Sequence, residues 1–190
     1  MQIAEKSKEE IEARANRMQD FLKMEYLEEC SKKSTSIEVL RYCFFELSKL
    51  YEKHSMYSDA VKYIVKLRQL NVGNKERIRA YLRETELLIK GGFYDRADFL
   101  FKELVKTAGA VEREEIQRRV TEVYKEEAEK FEKSKRYHIL VKVYEKLVPL
   151  VKEDEKIIIQ KRMVGLLTKL GKVRESIELE KGLPGADVLV

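Results

Sequence analysis

Apolar residues recur at every third or fourth position along most of the chain, which is the spacing of one face of an α-helix. The clearest example is a pair of apolar stripes separated by a short turn, formed by Phe44, Leu47, Tyr51, Ala60, Ile64 and Leu67. No segment alternates between apolar and polar residues over more than a few positions, so strands are not expected. The pattern predicts an all-α fold in which short antiparallel helices pack against one another.

Breaks in this pattern divide the chain into consecutive helices. Residues 3–32 are predicted to form either one long helix or two helices with a break near Lys23. Their apolar stripe consists of Ile11, Ala15, Met18, Leu22 and Tyr26. The later predicted helices span residues 37–54, 57–70, 75–90, 93–107, 111–134, 136–148, 155–170 and 172–181.

Thr35 or Ser36 is predicted to cap the helix that begins at residue 37. Thr35 and Glu38 have the spacing of a capping box, in which each side chain bonds the backbone N–H of the other residue. Asp154 precedes the segment 155–170 and is expected to cap it.

The helices form a repeat, which is visible once the residues at the turns are aligned. Tyr57, Tyr94, Tyr137 and Val173 then follow one another at intervals of 37, 43 and 36 residues. In the first two copies an alanine, Ala60 or Ala97, stands three residues further on. A small side chain is expected there, because two helices cross closely beside a tight turn. A single pair of helices cannot bury both of its faces, so the pairs are expected to stack.

This pattern resembles the tetratricopeptide repeat. The first copy carries the resemblance best, on Phe44, Leu47, Tyr51, Tyr57, Ala60 and Ile64. Some positions depart from the family pattern, namely Glu84 and Thr85 in the second copy and Gln160, Ser176 and Glu180 in the fourth. The resemblance covers about residues 38–183. It implies antiparallel helical hairpins stacked as a short right-handed α-solenoid, with about four repeats plus an N-terminal helix.

The same resemblance implies a domain organisation. Residues 1–35 are expected to form an N-terminal capping helix or a worn repeat, and residues 36–183 the repeat domain. Residues 184–190 are expected to form a C-terminal tail, with the whole chain making one structural domain.

Repeats of this family commonly bind peptides or partner helices on the concave face that their first helices line. The groove positions carried over from the family are Tyr42, Phe45, Lys49, Lys53, Arg79, Leu82, Arg83 and Lys90. Arg79 and Arg83, with Tyr42 and Phe45 nearby, are predicted to form the hot spot for an acidic or aromatic-bearing partner segment. Arginine pairs strongly with carboxylates, and hot spots are enriched in arginine and aromatic residues.

Charge adds one alternative. The chain carries 39 basic and 34 acidic residues, a net charge of +5. A basic balance permits contact with nucleic acid, and Arg77, Arg79 and Arg83 lie close together in the sequence. However, basic and acidic residues are interspersed, which is more typical of a solvated helical surface than of a nucleic-acid stripe.

Residues for catalysis or metal binding are not found in a recognisable arrangement. Cys30 and Cys43 do not make a disulfide framework, and a reducing cytosol is the expected setting. His54 and His138 are the only histidines and have no ligand spacing for a metal, and His54 is expected to cap a helix end. The N-terminus lacks the apolar run of a signal peptide, and no stretch is long enough to span a membrane. A cytoplasmic protein without catalytic activity or cofactor is therefore predicted.

Three functions are compatible with these observations. The leading hypothesis is a scaffold or adaptor that binds a partner peptide or helix in its groove. The second is nucleic-acid binding, in particular RNA binding, by the basic helical surface. The third is a self-associating structural protein whose C-terminal tail, Leu183–Val190, docks on a neighbouring copy to form a homo-oligomer.

Overall fold

The computed structural model describes residue 5, residues 7–70 and residues 73–184. In this part of the chain the regular structure is entirely helical, which confirms the predicted all-α class. The α-helices are α1 (Lys8–Ala15), α2 (Asp20–Lys33), α3 (Ile37–Lys53), α4 (Tyr57–Leu70), α5 (Asn74–Lys90), α6 (Tyr94–Thr107), α7 (Ala110–Lys133), α8 (Tyr137–Leu147), α9 (Glu153–Lys169) and α10 (Val173–Lys181). A short 3₁₀ helix at Val148–Leu150 holds Pro149, where the sequence predicted that α8 would stop.

The chain forms two compact units, Met1–Ala108 and Gly109–Val190. In the first unit each helix from α2 to α6 packs on the next, and α1 contacts α2 and α3. In the second unit α7 packs on α8, α8 on α9 and α9 on α10. The predicted domain boundaries at residues 35 and 183 remain predictions. Of the predicted C-terminal tail, residues 184–190, only Pro184 lies within the described residues.

Four hairpins, α3–α4, α5–α6, α7–α8 and α9–α10, close with the same backbone turn. In each, one residue has a positive φ: 59° at Ser55, 77° at Gly92, 55° at Lys135 and 75° at Gly171. The next residue donates its N–H to the carbonyl five positions earlier, as from Met56 to Tyr51 at 2.8 Å. The other three of these bonds run from Phe93 to Leu88, Arg136 to Phe131 and Lys172 to Leu167. This bond and the left-handed residue before it define a Schellman motif, which ends a helix and reverses the chain.

The position predicted to be small lies at the crossing of each helix pair. Ala60 and Ala97 have no exposed surface there. Leu140 in the third copy is also completely buried, and Ser176 in the fourth is 4% exposed. The Ser176 hydroxyl lies 2.9 Å from that of Thr168 and donates to the Val164 carbonyl at 3.1 Å. A polar residue is tolerated at this crossing because its hydrogen bonds are made.

The N-terminal region differs from the prediction in detail. It forms two helices, and the break lies between Ala15 and Asp20 rather than near Lys23. Leu22 was assigned to the apolar stripe but is 48% exposed, because the break changes the phase of the helix that follows. Ile11, Ala15 and Tyr26 from that stripe are buried as predicted.

Of the two predicted alternatives for the cap of α3, Ser36 is correct, whereas the capping box from Thr35 and the Asp154 cap are wrong. Ser36, not Thr35, is the N-cap of α3, and its side chain makes no capping hydrogen bond. Glu38 is therefore only two residues beyond the cap and cannot complete a capping box. Asp154 lies inside the first turn of α9, whose N-cap is Lys152. There its carboxylate faces the positive end of the helix dipole instead of bonding the cap.

Both cysteines are free thiols in the core of the first unit. Cys30 is 2% exposed and Cys43 is completely buried. Burial raises the pKa of Cys43 to about 12 and also raises the pKa of Cys30. These side chains therefore act as small apolar residues, because only the thiolate is nucleophilic.

Candidate partner-binding groove

A pocket of about 850 Å³ lies on the first unit. It is called here the α3–α5 groove, and its lining residues are Lys8, Ile37, Glu38, Arg41, Tyr42, Phe45, Ile64, Leu67, Glu76, Arg79, Ala80 and Arg83. Helical spacing explains why α5 presents Glu76, Arg79 and Arg83 together, since positions three or four apart share one face.

The floor of the groove is apolar. Ile64 is 2% and Ala80 is 6% exposed, so these two side chains are already packed in the protein. Ile37 and Phe45 are 56% and 48% exposed, so much of their apolar surface faces water. Large exposed apolar side chains that cluster in a concave surface are typical of a site for another molecule.

Arg83 is held in place by two carboxylates. It donates to Glu52 on α3 and to Glu86 on its own helix, the latter at 2.6 Å. Lys90 donates to the other oxygen of Glu52 at 3.0 Å. Glu52 thus links α3 to α5, and Arg83 contributes to the packing of the two helices as well as to the groove wall.

Arg79 differs from Arg83 in its surroundings. It is exposed on the rim of the groove, and no carboxylate of the described residues forms an ion pair with it. Arg41, on the α3 side, donates to the carbonyl of Leu70 at 2.8 Å and so ties α3 to the end of α4. Arg79 is therefore the guanidinium in this groove that can take a carboxylate without first losing an internal partner.

Tyr42 has a structural contact besides its place in the groove. Its ring packs against the buried core of the first unit. Its hydroxyl is buried and has no hydrogen-bond partner in the described part of the protein. Burial, with a further contribution from the carboxylates of Glu46 and Glu12, raises the pKa of Tyr42 to about 12. The hydroxyl is therefore protonated at neutral pH, but its burial keeps it from contact with a ligand in the groove.

Four of the eight predicted groove residues line the pocket, namely Tyr42, Phe45, Arg79 and Arg83. The other four, Lys49, Lys53, Leu82 and Lys90, do not. Lys49 pairs with Glu46 at 3.0 Å and lies 5.2 Å from the centre of the Phe45 ring. Lys53 pairs with Asp20 at 2.6 Å. The importance of any of these residues for binding remains a prediction.

Sequence reasoning did not include several residues that line the groove. Arg41 stands one turn before Phe45 on the same face of α3, so its helical spacing could have revealed it. Ile64 and Leu67 belong to α4, the second helix of its pair, and Lys8 belongs to α1. Their place in the groove depends on how the helices pack, which no local pattern encodes.

Other kinds of site are not apparent in residue 5 and the ranges 7–70 and 73–184. No group of three or more histidine, cysteine, aspartate or glutamate side chains there could hold a metal ion. His54 is the C-cap residue of α3, and its ring Nε2 lies 2.9 Å from Asp20. Within the same residues no helix is both long enough and apolar enough to cross a membrane.

Comparison with known proteins gives similar folds only. No protein-family model matches the chain, and no curated protein matches it. Among solved structures, the MamA RS-1 ArsTM double mutant is similar over 90% of this chain and 89% of its own, at 14% identity and a TM-score of 0.44. A Podosopora anserina putative kinesin light chain with nearly identical TPR-like repeats is similar over 95% and 92%, at 13% identity and a TM-score of 0.43.

The class of protein follows from the hairpins themselves. Four helix pairs close with the same turn, and a fully or nearly fully buried residue occupies each crossing. The described residues are built from helical hairpins that resemble tetratricopeptide repeats.

Proposed function

We propose that this chain is a non-catalytic scaffold or adaptor, and that its α3–α5 groove binds a partner segment with an acidic residue next to an aromatic or aliphatic one. The proposal rests above all on Arg79, an exposed guanidinium that forms no ion pair with the described residues and lies beside exposed apolar side chains. An apolar side chain of the partner would cover Phe45 and Ile37. A carboxylate of the partner would pair with Arg79, where the neighbouring apolar surface excludes water and strengthens the contact.

The test is selection of peptides from a random-sequence phage library on the whole protein. Recovered peptides are expected to share an acidic residue beside an aromatic or aliphatic residue. Their affinity is then measured by fluorescence anisotropy. Arg79→Glu should weaken binding by at least about tenfold, which corresponds to about 1.4 kcal/mol.

Arg77→Glu is the matched control, because Arg77 is exposed on the same helix but does not line the groove. It makes the same change in net charge and should leave affinity nearly unchanged. Arg83→Glu is less suitable, since it would place a third carboxylate beside Glu52 and Glu86 and disturb the α3–α5 packing. Equal affinity and equal salt dependence of the wild type and Arg79→Glu would show that the proposed site is wrong.

Nucleic-acid binding remains the alternative. Arg77 and Arg79 are both exposed on α5, but Glu38 and Glu76 also line the groove, so it offers no continuous basic path for a phosphate backbone. A titration of single-stranded RNA at several salt concentrations distinguishes the two functions, because phosphate contacts give a steep loss of affinity with salt. Self-association through residues 184–190 is tested by deleting them and measuring the mass by light scattering.

A further inference from the structure

A second cleft, of about 640 Å³, lies on the first unit between side chains of α4, α5 and α6. It is called here the Glu84 cleft. The residues that matter for its chemistry are Arg68, Glu84, Arg96, Phe99, Leu100 and Glu103. It shares no lining residue with the α3–α5 groove, although Arg83 and Glu84 are consecutive on α5. The inference below is therefore independent of the proposed function.

Glu84 is an ionisable side chain in a packed position. Residues 84–89 of α5 are all buried, and Glu84 itself is 6% exposed. This is also one of the two positions at which the second copy departs from the repeat pattern. A buried carboxylate is costly unless it is paired and hydrogen-bonded, so its presence here needs a reason other than packing.

The hydrogen bonding of Glu84 is incomplete. Its Oε2 lies 3.2 Å from Nε of Arg68, which makes an ion pair by distance. Neither atom has a hydrogen bond in the described residues. The Arg68 guanidinium lies 4.1 Å from the centre of the Tyr81 ring, which fixes it in a stacked position. Glu84 thus lines the cleft with a carboxylate that still lacks an aligned donor.

The charges around Glu84 do not compensate its burial. Arg68 on α4 and Arg96 on α6 both lower the pKa of Glu84, but burial has the larger effect and the pKa is raised. Asp95 and Glu103 of α6 also line the cleft, and Glu103 already pairs with Lys106 at 2.7 Å. Two guanidinium groups and three carboxylates therefore line the cleft, and Glu84 is the buried one among these carboxylates.

The mouth of the cleft is apolar. Phe99 on α6 is 68% exposed, and Leu100 beside it is partly buried. An exposed aromatic ring next to a buried carboxylate is suited to a ligand that has an apolar stem and a cationic end.

We propose that the Glu84 cleft binds a primary ammonium group on an apolar stem, the chemistry of a lysine side chain. The ammonium donates to the Glu84 carboxylate and supplies the missing hydrogen bond. The stem packs against Phe99 and Leu100. Such a ligand is either the lysine of a partner protein or a small amine, and both present the same group to Glu84.

The experiment is an NMR titration of the whole protein, labelled on its amides and methyl groups. Phenethylammonium represents a small amine, and Nα-acetyl-lysine methylamide represents a lysine in a chain. Leu88 also lines the cleft, so saturable shifts of Leu88 and Leu100 are expected with at least one of the two probes. The probe that binds more tightly identifies the source of the ammonium group. Phenethyl alcohol and phenylacetate, which have the same ring without the cation, should bind at least about tenfold more weakly.

Two variants assign the effect to Glu84. Glu84→Gln keeps the size of the side chain and should weaken binding of the ammonium probe at least about tenfold. Glu103→Gln is the matched control, because it removes the same charge from the same cleft at a half-exposed carboxylate that already pairs with Lys106, and it should have a much smaller effect. Phe99→Ser changes an exposed ring and should also weaken binding, which keeps the test valid if Glu84→Gln fails to fold.

Three results would overturn the proposal. First, phenethyl alcohol could bind as tightly as phenethylammonium, which would show that the cleft recognises the apolar ring and not the cation. Second, phenylacetate could bind more tightly, which would show that Arg68 and Arg96 dominate. Third, both ammonium probes could fail to give saturable shifts at Leu88 and Leu100.

Discussion

Oε1 of Glu28 on α2 accepts a hydrogen bond from the hydroxyl of Tyr51 on α3 at 2.6 Å. Tyr63 on α4 donates to the same oxygen at 2.8 Å, and the two tyrosine rings stack with centroids 5.5 Å apart. Burial raises the pKa of both tyrosines, and the hydrogen bond to the Glu28 carboxylate raises it further. One carboxylate therefore joins three consecutive helices and fastens α2 to the first hairpin.

Removal of this carboxylate should destabilise the first unit. Glu28→Ala leaves two partly buried hydroxyls without an acceptor, and a hydrogen bond to a charged group contributes about 1.5–3 kcal/mol. We expect the free energy of unfolding, measured in urea, to fall by about 2–4 kcal/mol. Tyr51→Phe loses one hydrogen bond and leaves the other, so its effect should be about half as large. Equal stability of Glu28→Ala and wild type would contradict this role.

The four Schellman turns predict that glycine is the more stable residue at two equivalent positions, Lys135 and Gly171. Lys135 has a φ of 55° and an exposed side chain, so Lys135→Gly should stabilise the protein by about 1 kcal/mol by relieving the strain of the left-handed conformation. Gly171 has a φ of 75° and open space around the position that a Cβ would occupy. Gly171→Ala should therefore destabilise by a similar amount through backbone strain alone. Thermal melts that shift in the same direction for both variants would disagree with this explanation.

The buried cysteines should report opening of the core of the first unit. Cys43 is completely buried and its pKa is raised to about 12, so almost no thiolate is present at neutral pH. A chromogenic disulfide reagent is expected to modify Cys30 and Cys43 only as fast as the first unit opens. Addition of urea below the unfolding midpoint should accelerate the reaction. Complete modification within seconds in the native state would contradict the burial of these thiols.

Glu84 should lower the stability of the protein as pH rises, whereas a carboxylate with a lowered pKa does the opposite. Its pKa is raised above the ordinary 4.5, so the folded state binds a proton more tightly than the unfolded state does. Its contribution to stability is therefore lost as pH rises from 4.5 through the higher pKa of the folded state. Glu84→Gln removes this loss.

The measurement is the free energy of unfolding of both proteins at several pH values. The difference between Glu84→Gln and wild type should move in favour of the variant as pH rises through this range. Glu103→Gln is again the control, because it removes the same charge from the same cleft at a side chain that is only half-buried. A constant difference at all pH values would show that Glu84 titrates at its ordinary pKa.

Much of this architecture could be predicted from the sequence, because it depends on local spacing. Apolar residues at every third or fourth position predict the helices, and breaks in this spacing mark the turns that contain Ser55, Gly92, Lys135 and Gly171. Most helix ends agree with the structure within two residues. The burial of Ala60 and Ala97 followed from the geometry of a tight hairpin.

The break between α1 and α2 was predicted at the wrong position because the local sequence carries no clear signal for it. The segment 16–19 has neither glycine nor proline, and its apolar spacing continues through Met18. The position of the break follows from tertiary packing instead, since α1 ends at Ala15, where Ile11 and Ala15 pack into the core of the first unit.

The chemistry of the two surfaces was decided by tertiary structure. The sequence placed Arg79 and Arg83 on one face of α5 but could not distinguish them. Glu52 pairs with Arg83 from α3, whereas no carboxylate of the described residues forms an ion pair with Arg79. The same holds for Glu84, whose departure from the repeat was visible in the sequence but whose burial beside Arg68 was not. Helical periodicity fixes which residues share a face, because it acts within one helix. Ion pairing and burial depend on which neighbouring helix covers that face, and only the packed fold determines this.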